Sequence, residues 1–188
     1  VMLFAAGFGT RMKALTQTCP KPMIAVAGSP LIDHTLELAQ AIQPDRIFAN
    51  LNYLPQVLEA HLAPKDVLLS PEQPQVLDTG GGLRQALPLL GPAPVFTANT
   101  DVIWKGVNPF EIALNAWNPI EMDALLVCIP ITRCWGRKGA VGGSPVAHMP
   151  RLNATLRRAP VTADFITIVA GLVGNVATVA ALDRAHRW

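Results

Sequence analysis

Three short segments of this sequence carry residues whose types and spacing suit the handling of a polyphosphate. The first is Ala6-Gly7-Phe8-Gly9-Thr10-Arg11, which closes an apolar run over residues 1–6. Glycines let backbone N–H groups approach phosphate oxygens, and an arginine adds a two-pronged donor. The loop is not a dinucleotide fingerprint, because Met12 stands where Gly-x-Gly-x-x-Gly needs its third glycine. Nor is it a P-loop, since no Gly-Lys-Ser/Thr follows. The second segment is Pro20-Lys21-Pro22, in which the two prolines fix φ on either side of an ammonium group. The third pairs Leu77-Asp78-Thr79-Gly80-Gly81-Gly82 with Asn99-Thr100-Asp101. Consecutive glycines admit a base or sugar against bare backbone, and one carboxylate with phosphate oxygens is a common way to hold Mg²⁺.

Each segment alone also has a structural explanation. The first reads as a strand–helix turn with a solvated arginine, and the second as a lysine in a surface loop. The glycines of the third read as a helix-entry turn, and Asp101 as an N-cap. The elements between them decide whether they meet. Residues 1–6 read as a buried strand, and Ser29-Pro30 as the N-cap and first turn of a helix over 30–42, with Leu31, Leu38 and Ile42 on one face. Strands follow at 46–50, 67–70, 94–101 and 124–131. Helices fall between them, one starting at Pro55 with Val57, Leu58 and Leu62 inward, one over 82–90 ended by Gly91-Pro92, and one over 109–117. Strands alternating with helices predict an α/β domain with a mainly parallel central sheet. Such sheets bind ligands beyond the carboxyl ends of their strands, which is where all three segments fall.

Composition narrows the function. The chain has 188 residues, 51% of them hydrophobic, which suits one packed domain rather than a disordered tail. A net charge of +2 without a polybasic run disfavours nucleic acid as a partner. No stretch reaches roughly 18 unbroken apolar residues, and the richest, Phe165–Leu182, is broken by Asn175 and two glycines, so no membrane span is expected and that stretch reads as strand plus helix. Cys19, Cys128 and Cys134 are odd in number and lack Cys-x-x-Cys spacing, which with no signal peptide predicts a cytoplasmic location. The four histidines form no i, i+4 pair, so zinc is not expected.

The run "AAGFGTRM…LT…PKPMIAVAGSPLI" resembles the signature of the sugar-1-phosphate nucleotidyltransferases, the nucleotide-diphosphosugar pyrophosphorylases. "NLNYL…EAHL", "LDTGGGLRQALPLLG" and "NTDVIW" look most like the branch acting on N-acetylmuramate 1-phosphate with UTP, in cell-wall (peptidoglycan) recycling. The resemblance covers about residues 1–130 and implies a Rossmann-like, three-layer α/β/α fold over a single domain, residues 1–188. It implies the reaction NTP + sugar 1-phosphate → NDP-sugar + pyrophosphate, with Mg²⁺ as cofactor and a monomer or homodimer as the working form. By position, Gly9, Thr10 and Arg11 would hold the triphosphate, with Ala6 and Gly7 alongside. Lys21 would contact the phosphates near the α-phosphorus, and Arg11 and Lys21 would be the catalytic pair. Gly80 and Gly81 would lie against the base, Asn99 would bind the nucleotide, and Asp101 would ligate the metal.

The match departs in two places. Lys13-Ala14 stands where the family commonly has Arg-Pro, which keeps the charge and loses the stiffness. The family's second metal-binding Asp, in a Trp-x-Asp-x-Gly-like stretch, has no counterpart, because Asp164 and Asp183 lack that context and the chain stops at Trp188. The C-terminal part is therefore expected to be truncated or incomplete, with weakened metal binding. The alternatives are a mannose-1-phosphate guanylyltransferase or other sugar-1-phosphate nucleotidyltransferase, a non-catalytic nucleotide-binding module of the same fold, and an NAD-dependent oxidoreductase. The last would need Asp33 as its ribose ligand, and Asp33 falls inside a predicted helix. Trp104 is a candidate for the sugar pocket or, more simply, for core packing.

Overall fold

The computed structural model describes residues 1–120, 122 and 124–127, together with the backbone of residues 165–168. The first apolar run forms β1 (Met2–Phe4), and Ala25–Val26 (β2) pairs antiparallel with Ser29–Pro30 (β3) in a small separate ribbon. Four further strands follow in the chain order expected, β4 (Ile47–Leu51), β5 (Val67–Pro71), β6 (Val95–Asn99) and β7 (Ala124–Leu126), and Phe165–Ile168 supplies β8. Their order in the main sheet is β5-β4-β1-β6-β8-β7, and every neighbouring pair is parallel. Phe4 stands opposite both Asn50 and Asn99, so β1, β4 and β6 release their chains at one level of one edge.

Alternation along β1 sends side chains to two cores. Leu3 joins Ile32, Leu36, Leu58, Leu62 and Phe110, which come from α1 (Leu31–Ala41), α2 (Pro55–Leu62) and α4 (Pro109–Ala116). Met2 packs on the other face with Phe48, Val95, Leu83 and Ala86, the last two from α3 (Asp78–Leu90). The result is helices on both faces of a parallel sheet, the three-layer arrangement expected.

Several details differ from the sequence reading, among them the shorter β1 and β7, which end at Phe4 and Leu126. Ser29 does not cap α1: Ser29–Pro30 is drawn into the β2–β3 ribbon, and Pro30 takes the N-cap place without a side-chain bond. Val57 is not inward but 38% exposed, because only Leu58 and Leu62 of α2 face the sheet. The third helix starts at Asp78 rather than Gly82, so the glycine run lies in its first turns. β6 ends at Asn99, which leaves Thr100 and Asp101 in the loop beyond it. The predicted helix within 169–182 and the aperiodic stretch 132–160 lie outside the described residues.

Candidate active site

The loop after β1 is shaped by Gly9. Its φ of 63° is left-handed, and a Cβ there would stand 2.9 Å from both Lys21 Cβ and Thr16 Cγ2. Only glycine meets both conditions. The Gly9 carbonyl accepts from Met12 N at 2.8 Å and from Thr16 Oγ1 at 3.1 Å, which turns the chain into a 3₁₀ segment over Thr10–Thr16. Thr16 is buried beneath the loop, whereas Gly7, Phe8, Thr10 and Arg11 are exposed on it. A Cβ at Gly7 would meet nothing within 4 Å, so the backbone there faces open space. Ala6 is buried at the loop's root.

Tyr53, which the sequence reading did not single out, braces this loop. Its hydroxyl donates to Thr16 O at 2.8 Å, and its ring meets Phe8 edge-on with centroids 5.6 Å apart. The signal for it was its place two residues beyond the carboxyl end of β4, on the edge the loop shares.

Lys21 enters from Pro20, whose extended backbone leads into a tight turn closed by Met23 N→Pro20 O at 2.8 Å. Its ammonium donates to Asp101 Oδ2 at 2.5 Å across 80 residues of sequence. Thr100 Oγ1 donates to Phe4 O at 2.8 Å, which ties the exit of β6 to the exit of β1 and sets Asp101 beside the glycine loop. Asp101 caps no helix, because Asn108 caps α4 through its bond from Phe110 N. Asn99 sits half-buried at the end of β6 and accepts from Thr35 Oγ1 through its carbonyl at 3.5 Å. Gly9, Thr16, Lys21 and Asp101 therefore come together at one edge, and Arg11 stands exposed on the adjoining turn.

The third segment reaches the same edge from β5. Glu72, the residue after β5, is fully buried, and its carboxylate accepts from Asn50 Nδ2 at 2.7 Å and from Leu77 N at 2.8 Å. Gly80 is buried and Gly81 half-buried in the first turns of α3. Gly82 has a structural reason: a Cβ there would strike Glu72 Oε1 and Asn50 Nδ2.

Other candidates fall away from the edge. Trp104 packs against the larger core, as the simpler reading had it. Asp33 lies in the first turn of α1 and is taken by His61 and Lys65, each 2.8 Å from its Oδ1, which removes it as a ribose ligand. His34 bonds Val26 O, and Cys19 is a free thiol. His148, His186, Asp164, Asp183, Cys128 and Cys134 lie outside the described residues. Among the described residues, no three His, Cys, Asp or Glu side chains gather around a metal position, and no helix is long and apolar enough to cross a membrane. Asp101, an oxygen donor half-open at the strand ends, fits a hard cation that keeps most of its waters.

Comparison with known proteins gives the family and the fold. The chain matches the MobA-like NTP transferase domain over residues 1–160 and belongs to that family. It is 40% identical over 145 residues to the N-acetylmuramate alpha-1-phosphate uridylyltransferase of Caulobacter vibrioides, a match covering 72% of this chain and 60% of the relative. The protein of the same name from Neisseria meningitidis is 43% identical over 108 residues, or 54% of this chain and 46% of that one. The chain thus spans about half to three-fifths of the length of these curated relatives. Its fold is that of UDP-glucose pyrophosphorylase from Acinetobacter baumannii, with a TM-score of 0.56 over 66% of this chain and 54% of that one, at 19% identity.

Proposed function

We propose that the protein transfers UMP from UTP to N-acetylmuramic acid 1-phosphate, giving UDP-N-acetylmuramic acid and pyrophosphate, in the cytoplasmic recycling of cell-wall sugars. The observation that carries the chemistry is the meeting of Lys21 and Asp101, from segments 80 residues apart, beside the open backbone of the glycine loop. The names of the two uridylyltransferase relatives support the choice of substrates.

The step is an in-line displacement. An oxygen of the sugar 1-phosphate forms a bond to the α-phosphorus of UTP, the bond from that phosphorus to the bridging oxygen breaks, and pyrophosphate leaves with its electron pair. The attacking phosphate is already ionised near neutral pH, so the protein needs no general base. Its residues position the two phosphates and hold the spread negative charge. In this reading the exposed N–H groups from Gly7 to Arg11, with the Arg11 guanidinium, take the β- and γ-phosphates. Lys21 leaves Asp101 for the phosphates near the α-phosphorus. Ala6 and Gly9 set the loop's path, Gly80 and Gly81 lie against the base, and Asn99 meets the nucleoside. Asp101 would hold Mg²⁺, which when bound neutralises phosphate charge.

The test is pyrophosphate release with N-acetylmuramic acid 1-phosphate, Mg²⁺ and a panel of UTP, GTP, CTP and dTTP. Release with UTP above the others is expected. Release with GTP and none with UTP would overturn the substrate assignment. UTP binding without release at saturating Mg²⁺ would make the protein a nucleotide-binding module instead.

A further inference from the structure

The Glu72 carboxylate is fully buried, and the proposed chemistry does not use it. Its backbone is held independently of its side chain: Glu72 N donates to Leu51 O at 2.7 Å, and Asn52 Nδ2 donates to Glu72 O at 2.6 Å. Its side chain bridges two loops. One oxygen accepts from Leu77 N, at the entry to α3 and its glycines. The other accepts from Asn50 Nδ2, while Asn50 Oδ1 accepts from Ala5 N at 2.6 Å, at the root of the glycine loop.

The chain Leu77 N–H → Glu72 ← Asn50 ← Ala5 N–H, with arrows running from donor to acceptor, has a fixed polarity. Both ends are backbone donors, so the two side chains between them must offer an acceptor outward at each end and one donor–acceptor pair in the middle. A carboxylate and an amide do this, and two amides do not. With two amides, one donor is always left facing another, either at Leu77 N, between Glu72 and Asn50, or at Ala5 N. An unmade bond in a buried position is expensive. Gly82 belongs to the same device, because any side chain there would occupy the space of this bridge.

We propose that Glu72 is a positioning residue that locks the phosphate loop and the base loop in register, so that one nucleoside triphosphate fits both. The inference rests on the reading of these two loops as a nucleotide site. It predicts that Glu72→Gln, nearly isosteric, weakens nucleotide binding, and that Asn50→Asp, which sets two carboxylates face to face, does so at least as strongly. The double variant Glu72→Gln/Asn50→Asp restores the polarity with the amide and carboxylate exchanged.

The experiment is calorimetric binding of UTP, GTP, CTP and dTTP, with Mg²⁺, to the parent and the three variants at a temperature where circular dichroism shows all of them folded. With the triphosphate the parent prefers, each single variant is expected to bind about tenfold more weakly, and the double variant within about threefold of the parent. In turnover, KM for that triphosphate should rise in the single variants while KM for the sugar phosphate stays put. Equal affinity of Glu72→Gln and the parent would overturn the proposal, as would a double variant no better than the singles. Should the single variants fail to fold, a folded double variant with parent-like affinity supports it and an unfolded one overturns it. A parent that prefers GTP refutes the uridine assignment and leaves the register test to be read with GTP. A parent that binds none of the four overturns both.

Discussion

Among the described residues, two carboxylates hold a lysine at bonding distance, and their surroundings give the pairs different meanings. Asp33 and Lys65 are 2.8 Å apart, and Asp101 and Lys21 2.5 Å, with similar partial exposure. Asp33 stands in the first turn of α1, where a negative charge suits the helix dipole, and also receives His61 from α2. Its oxygen joins two helices and a following turn. Burial pushes the Asp33 carboxyl upward, but hydrogen bonds and charges from Lys65 and His61 outweigh it and leave its pKa below the ordinary 3.8. Asp101 comes instead from a strand exit, pairs with a residue from a separate loop, and borders backbone that faces open space. Ion pairing alone does not mark a site; position at the carboxyl edge of the sheet does.

The contrast can be broken from the active-site side first. Asp101→Ala and Lys21→Ala should each lower turnover by about 100-fold or more in steady-state pyrophosphate release. Neither should shift the urea unfolding free energy beyond about 1 kcal/mol, because the pair is partly exposed. Gly9→Ala acts on both properties: its left-handed backbone and its contact with Lys21 and Thr16 predict a loss of about 1–3 kcal/mol in urea unfolding. Weaker triphosphate binding should accompany that loss. Tyr53→Phe removes the bond to Thr16 O and keeps the ring against Phe8, so about 1 kcal/mol of stability should go, with a higher KM for the triphosphate.

The smallest effect belongs to Asp33→Asn, below about 1 kcal/mol with turnover unchanged. Its signature is in pH. A carboxyl whose folded-state pKa is depressed contributes stability that is present above the ordinary 3.8 and disappears as pH falls through the folded-state value. Asp33→Asn should therefore lower stability by a small, constant amount near neutrality and flatten the parent's fall in that acidic window, so that the two profiles converge at low pH.

Much of this architecture was legible in the sequence because strand and helix periods are local. The strands expected from 1, 46, 67, 94 and 124 and the helices expected from 30, 55 and 109, read from apolar runs and prolines, lie within one residue of the observed starts at 2, 47, 67, 95, 124, 31, 55 and 109. The start of α3 was missed for a physical reason. Three glycines oppose a helix by propensity, but the Glu72–Asn50 bridge needs a bare backbone at Gly82, and that tertiary demand wins. The same holds for Ser29, whose capping chemistry is overridden by pairing with Val26. Lys21, Asp101 and the glycine loop could be singled out by residue type. Glu72 could not, because a buried carboxylate answered by amides leaves no spacing to read, and Tyr53 offered only its place just beyond the end of β4.

The most direct test of the account is pyrophosphate release from UTP and N-acetylmuramic acid 1-phosphate, measured side by side for the parent, Asp33→Ala and Asp101→Ala. The account predicts comparable rates for the parent and Asp33→Ala and loss of release in Asp101→Ala. Turnover by Asp101→Ala at the parent's rate would contradict it.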